Sequence, residues 1–494
     1  MGNPRDRDRL DAWLHAEVEP LAPPPGTFER IRHRARRRKA GRAVMSTAGI
    51  VIVVAAAVAV PRIASTLVHS HNGPGRPVAV GGPSSSPRTP TPSRRIESPK
   101  PFSGIKVLPA TSFLSPQGSG IQVPRNFQPT SVTFVSQSIG AVIGQAGTPG
   151  HCAIIPTVCT SLAGTSDYGT RWYGVSAPVT GAPDGASGVS QLRFLNARDG
   201  WAFGPELWVT HNGGAHWKQE KTYGMRVTGL ETAGAGAFAI FASCTGAGPD
   251  YAAHCTSFSL YSSAADSNAW QLVSGPVADL PASGTGAGQT ASASLVLVGG
   301  GTGGGTGYLL APSGELLSGP LSGGAWTVAS GPVVSQHVPC RPGAPGPSGQ
   351  PAGTLLAANA NLLVLVCTSA TSTASDTQAK LVVESTDGGV HWSTIGAAPK
   401  TGIATSVAIQ AQDNLVVLAT DAGIYLSADG GRTGTWQRTQ PSPSGAAPGS
   451  AGFSYVGMTS PTRGVALPAD AKLHEVYITT DGGSNWQPHA VSGP

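Results

Sequence analysis

Charge is scarce in this chain: Lys, Arg, Asp and Glu make up 12% of its 494 residues, and aromatic residues only 6%. So little charge, set beside 67 glycines, argues against long solvated helices and suits short strands joined by many turns. The net charge of +6 is also misplaced for a nucleic-acid groove. Residues 1–42 hold eleven basic and six acidic side chains and residues 43–100 hold six and one, which leaves 15 basic against 19 acidic over 101–494. A mildly acidic main domain does not track phosphates, so no nucleic-acid partner is expected. The familiar catalytic signatures are missing as well. There is no H-E-x-x-H, no G-x-S-x-G elbow, no Walker loop and no C-x-x-C pair, so neither a metal nor a cofactor is expected. The run GGGTGGGTG, Gly299 to Gly307, matches G-x-G-x-x-G but leads into YLLAPSGELL, a strand and turn pattern instead of a helix, and reads as a glycine-rich loop.

Long apolar runs are confined to one segment. AVMSTAGIVIVVAAAVAV, residues 43–60, carries no charge and at ~1.5 Å per residue reaches ~27 Å, enough to cross a bilayer core. Arg30, Arg32, Arg34, Arg36, Arg37, Arg38, Lys39 and Arg42 precede it, whereas only Arg62 and Arg76 follow nearby. That asymmetry predicts a single pass through the plasma membrane with the N-terminus cytoplasmic and the rest outside. Residues 1–42 then form a basic cytoplasmic head, helical by the spacing of Leu10, Trp13, Leu14, Val18 and Leu21. Residues 43–68 are the membrane helix and its flank, and 69–101, rich in Pro, Ser and Gly, are a disordered linker ahead of a large domain over 102–494. All six cysteines lie beyond the membrane segment. Pairing sequence neighbours, Cys152–Cys159, Cys244–Cys255 and Cys340–Cys367, closes local loops in an oxidising compartment.

Within the large domain one phrase recurs. TTDGGSNW (Thr479 to Trp486) and STDGGVHW (Ser385 to Trp392) share the frame Ser/Thr-x-Asp/Asn-x-Gly-x-x-Trp with TSDYGTRW (Thr165 to Trp172) and THNGGAHW (Thr210 to Trp217). SADGGRTGTW (Ser427 to Trp436) has two extra residues, and SAADSNAW and GPLSGGAW, ending at Trp270 and Trp326, are worn copies without the aspartate in frame. Seven tryptophans spaced by 45, 53, 56, 66, 44 and 50 residues mark seven repeats with loop insertions. Each repeat reads as short strands and turns, as in QLRFLNARDGWAFGPELWVTHNGGAHW. A four-stranded unit of that size cannot bury both faces alone, so the repeats must stack around an axis.

The frame resembles the Asp-box, or BNR, repeat of sialidases, of photosystem II assembly factors of the stability-factor type and of sortilin-like receptors. The resemblance implies an all-β fold, a seven-bladed β-propeller with Asp-box turns between the third and fourth strands of each blade. By the same resemblance Asp167, Asn212, Asp387, Asp429 and Asp481 accept hydrogen bonds inside their turns, beside Thr165, Thr210, Ser385, Ser427 and Thr479. Gly169, Gly214, Gly389, Gly431 and Gly483 take positive φ, and Trp172, Trp217, Trp392, Trp436 and Trp486 pack between sheets. The boxes are scaffold in those families, which makes His211, His216 and His391 solvated turn residues.

The apolar segment and the resemblance together imply a membrane-anchored extracytoplasmic propeller acting as a non-enzymatic binding, assembly or scaffold module for a protein or glycan. An exo-sialidase-like glycoside hydrolase and a transmembrane sensor with a regulatory head are the alternatives. A sialidase requires three converging arginines, a tyrosine nucleophile with a glutamate, and an acid aspartate. Here QVPRNFQP offers only Arg125 before the first box, and the Ile-Pro expected after that arginine is missing.

Overall fold

The computed structural model describes residues 122–491, except 148–150, 153–157, 184–185, 246–254, 275–292, 300–303, 312–314, 331–343, 346–350, 353–354, 369–378, 411–413, 433 and 435. The predicted head, membrane helix and linker lie outside the described residues, as do 102–121 and Cys340. Among the described residues no helix is long and apolar enough to cross a membrane. The described residues belong to one compact unit, Arg94–Pro494.

Seven four-stranded sheets succeed one another, each made of four consecutive strands, a to d. Blade 1 is Phe127–Phe134, Gly140–Ala146, Thr160–Thr165 and Tyr173–Val175. Blade 2 is Gln191–Phe194, Gly200–Phe203, Leu207–Thr210 and Lys218–Gln219. Blade 3 is Arg226–Ala233, Gly236–Cys244, Cys255–Ala264 and Gln271–Ser274. Blade 4 is Ser294–Gly299, Gly305–Leu310, Leu316–Pro320 and Thr327–Ser330. Blade 5 is Leu355–Ala358, Leu363–Thr368, Lys380–Ser385 and Ser393–Ala398. Blade 6 is Ala404–Ile409, Val416–Thr420, Gly423–Ser427 and Gln437–Pro441. Blade 7 is Phe453–Met458, Gly464–Pro468, Glu475–Thr479 and Gln487–Ala490. Strand a of each blade touches strand a of the next, and strand a of blade 1 returns to blade 7. The domain is therefore a seven-bladed β-propeller with strands a around the axis. Antiparallel order puts the a–b and c–d turns on one face, and the b–c turns and d–a connections on the other.

Both faces of each sheet are covered by neighbouring blades, which explains why strand b does not alternate. Gly200–Phe203 and Val416–Thr420 are buried at every position. The outer strands Gln437–Pro441 and Gln487–Ala490 are largely exposed. Instead of one core there are seven apolar seams, one between each pair of blades. All seven repeat tryptophans enter the seam with the preceding blade. Trp217, Trp270, Trp326, Trp392, Trp436 and Trp486 do so in blades 2 to 7. Trp326 lies 5.6 Å from Phe238 of blade 3 and rests on Gly307 and Gly319, where any Cβ would strike the indole.

The ring closes without exchanging a strand. Trp172 of blade 1 packs with Val465, Leu467, Val476 and Ile478 of blade 7. On one face the Arg463 guanidinium stacks 4.0 Å from the Tyr168 ring, and on the other His474 Nδ1 donates to the Phe127 carbonyl at 2.8 Å.

Candidate functional site

The repeated phrase occupies the c–d turns. In blade 7 the Thr479 hydroxyl donates to Asp481 Oδ1 (2.8 Å) and accepts from Gly483 N (2.9 Å), while Asp481 also accepts from Asn485 N (2.9 Å) and Asn485 Nδ2 (2.6 Å). The hydroxyl, carboxylate or amide, and glycine repeat this pattern in Thr165/Asp167/Gly169, Thr210/Asn212/Gly214, Ser385/Asp387/Gly389 and Ser427/Asp429/Gly431. In blade 3, Ser263 Oγ donates instead to the Ser267 carbonyl (2.9 Å). The second box glycine needs both its conformation and its lack of a side chain. Gly389 has φ of 95°, and a Cβ there would run into Leu316 of blade 4.

These carboxylates have little capacity for chemistry. The backbone N–H and imidazole of His391, with the Ser385 hydroxyl, hold Asp387 far below the usual carboxylate range. Burial works against ionisation of Asp481, but hydrogen bonds from Asn485 and Thr479 outweigh it and lower its pKa. Each anion is consumed by its own turn. Asp481→Ala is expected to cost only about 1 kcal/mol, because water can reach the exposed donors it releases; Thr479→Val, which strands the buried Gly483 N–H, is expected to cost about 1–3 kcal/mol. Thermal unfolding of the two variants checks the order.

His211 departs from the solvated role expected of it. Its ring nitrogens lie 2.9 Å from Asp199 Oδ1 and 2.9 Å from Asn268 Oδ1, so it bridges blade 2 to blade 3. His216 and His391 stay within their own turns, against Asn212 and Asp387.

The axis carries a polar cluster drawn from four inner strands. Leu192 and Phe194 face the seam with blade 1, and alternation turns Arg193 between them toward blade 3. There Arg193 Nε donates to both oxygens of Glu231 (3.0 Å each) and Nη2 meets Oε1 at 2.9 Å. Nη1 donates to the Leu192 carbonyl (2.8 Å) and to Ser131 Oγ of blade 1 (3.3 Å), and the guanidinium lies 5.8 Å from the ring centre of Tyr455 in blade 7. Burial disfavours the cation, but Glu231 and then Tyr455 outweigh it and keep Arg193 charged. Tyr455 is pushed up, chiefly by burial. Sequence reasoning did not single out Arg193, Glu231 or Tyr455. The one available signal was a charge inside the short apolar strand QLRF.

The residues a sialidase would need are scattered. Arg125 is exposed ahead of the first strand. A hydrogen-bonded tyrosine–glutamate pair does exist, Tyr477 with Glu475, but Tyr477 is 4% exposed in the seam between blades 6 and 7, 5.0 Å from Phe453. Among the described residues no group of three or more His, Cys, Asp or Glu is placed to hold a metal ion.

The face of b–c turns and d–a connections has a different character. Disulfides Cys152–Cys159 and Cys244–Cys255 close the b–c loops of blades 1 and 3. Cys367, at the end of strand b in blade 5, is also disulfide-bonded. Val179 is 64% exposed and Tyr223 81%, both in d–a connections, and Tyr223 takes a left-handed φ of 54°. Beneath this face Lys380 is buried, its Nζ donating to the carbonyls of Gly402 (2.5 Å) and Lys400 (3.3 Å). Burial, only partly offset by Asp421, lowers its pKa from 10.5 to about 8. The unfolded chain therefore binds more protons above about pH 8, and stability should rise with pH from there toward 10. At ~1.4 kcal/mol per pKa unit the contribution is roughly 1–3 kcal/mol. Lys380→Met should flatten that rise in urea unfolding measured between about pH 7.5 and pH 10.

No protein-family model and no curated protein matches the chain. Solved structures resemble it at low identity. YCF48 bound to D1 peptide is 16% identical, with 73% of this chain and 95% of that one covered and a TM-score of 0.41. YCF48 from Cyanidioschyzon merolae is 13% identical over 61% and 84%, with a TM-score of 0.39. An ancestral GH74 enzyme is 13% identical over 77% and 48%, with a TM-score of 0.47.

Proposed function

We propose that the chain is a membrane-anchored, extracytoplasmic propeller that binds another macromolecule through the face of its b–c loops and d–a connections, and that it is not a hydrolase. The observation that carries this reading is the state of the axis. Arg193 is already bound to both oxygens of Glu231, so a ligand carboxylate could reach it only by displacing that bidentate partner. Recognition then falls to the loop face, where long connections are pinned by disulfides and Val179 and Tyr223 stand exposed.

A photocrosslinker at Tyr223 is expected to trap a partner in cells, whereas one at Val390, exposed in the blade 5 box on the opposite face, is expected to trap none. Capture only at Val390 would move the site to the box face. Hydrolysis of a sialoside that disappears in Arg193→Met would replace the reading with the glycosidase one.

A further inference from the structure

The blade 2 box has Asn212 where the other intact boxes have aspartate, and Gly213 follows it. We propose that Asn212 is a deamidation site gated by opening of this turn. In an Asn-Gly pair the glycine nitrogen attacks the side-chain carbonyl carbon and expels ammonia, giving a cyclic succinimide. Water then opens the ring to aspartate or isoaspartate, so the reaction needs no other reagent.

The closed turn keeps both reacting groups off that path. Gly213 N–H donates to the Arg198 carbonyl at 2.9 Å. Asn212 Oδ1 accepts from Thr210 Oγ1 (3.0 Å) and His216 N (2.9 Å), and its Nδ2 lies 2.9 Å from His216 Nδ1. Attack requires the amide to leave these partners and the Gly213 nitrogen to leave its own. The rate therefore follows the fraction of turns that are open.

Blade 5 indicates what each product does. Asp387 has a glycine after it and His391 in the place of His216, and it accepts from Ser385 Oγ (2.8 Å) and His391 N (2.9 Å) while Oδ2 meets His391 Nδ1 at 2.7 Å. An aspartate at position 212 can repeat that pattern, with the imidazole donating where it now accepts. The isoaspartyl product lengthens the backbone by a methylene inside the turn. It displaces Gly214, whose N–H is held by Thr210 Oγ1 and where even a Cβ would run into Val175 and Leu162 of blade 1.

The chain carries a sequence-matched reference, because His71-Asn72-Gly73 repeats the tripeptide His211-Asn212-Gly213 in the Pro-, Ser- and Gly-rich stretch ahead of the repeats. The full chain is aged at mildly alkaline pH with and without concentrated urea, and peptides are mapped by mass spectrometry that separates aspartate from isoaspartate. In the native chain Asn212 should convert at least about tenfold more slowly than Asn72, and the two should converge in urea. Equal conversion in the native chain, or slow conversion of Asn212 in urea, would overturn the gating. The variant Asn212→Asp should melt at or above the wild-type temperature. A lower melting temperature would overturn the claim that the aspartyl product fits.

Discussion

Trp172→Ala is expected to destabilise the propeller by about 3–5 kcal/mol through lost aromatic burial and the cavity left behind. The indole is 3% exposed and packs with Val465, Leu467, Val476 and Ile478 of blade 7. Trp486→Ala removes the same group from the seam between blades 6 and 7, so the two variants should lose similar stability. They should differ in where the molecule opens. Blades 6 and 7 are consecutive, and the connection between Pro441 and Phe453 holds them at high local concentration. Blades 7 and 1 have the whole ring between them and are joined, among the described residues, by side-chain packing and by polar contacts such as His474 to Phe127 and Arg463 on Tyr168. Hydrogen exchange should therefore quicken in both blade 1 and blade 7 for Trp172→Ala, and in blades 6 and 7 for Trp486→Ala. Identical exchange patterns would show that the closing seam has no special standing.

The second large effect concerns the axis. Arg193→Met leaves the Glu231 carboxylate without its bidentate partner, and because that side chain is 33% exposed the loss should be about 1–3 kcal/mol near neutral pH. Adding Glu231→Leu should restore much of the loss, since the penalty lies in the stranded charge more than in the missing bond. A double-mutant cycle in urea measures this. A double variant no more stable than Arg193→Met would mean that the cluster acts by shape alone.

The architecture was legible because a single phrase marks every blade. The hydroxyl, carboxylate and glycine satisfy a turn locally, within seven residues, so their spacing survives in the sequence even where loops of unequal length intervene. The worn copies at Trp270 and Trp326 kept the tryptophan, since that residue fills a seam whether or not a carboxylate ties the turn. The repeat alone does not say which neighbouring blade the indole enters. Arg193, Glu231 and Tyr455 were illegible for another reason. They belong to different repeats, each sits on an inner strand with no shared frame, and only closure of the ring brings them together. His211 was misjudged because its partners, Asp199 and Asn268, come from two other turns.

Each blade is four strands taken in order, with none borrowed from a neighbour. The border between any two blades is consequently a place where the polypeptide can begin. A gene recut between blades 3 and 4, with the present ends of the ring bridged by a flexible peptide from Val491 to Val123, encodes the same seven sheets with the same seams. Such a circular permutant exchanges one covalent border for another. The molecule is a split ring whose slit is fixed by gene order, and the slit can be moved without redesigning a single blade.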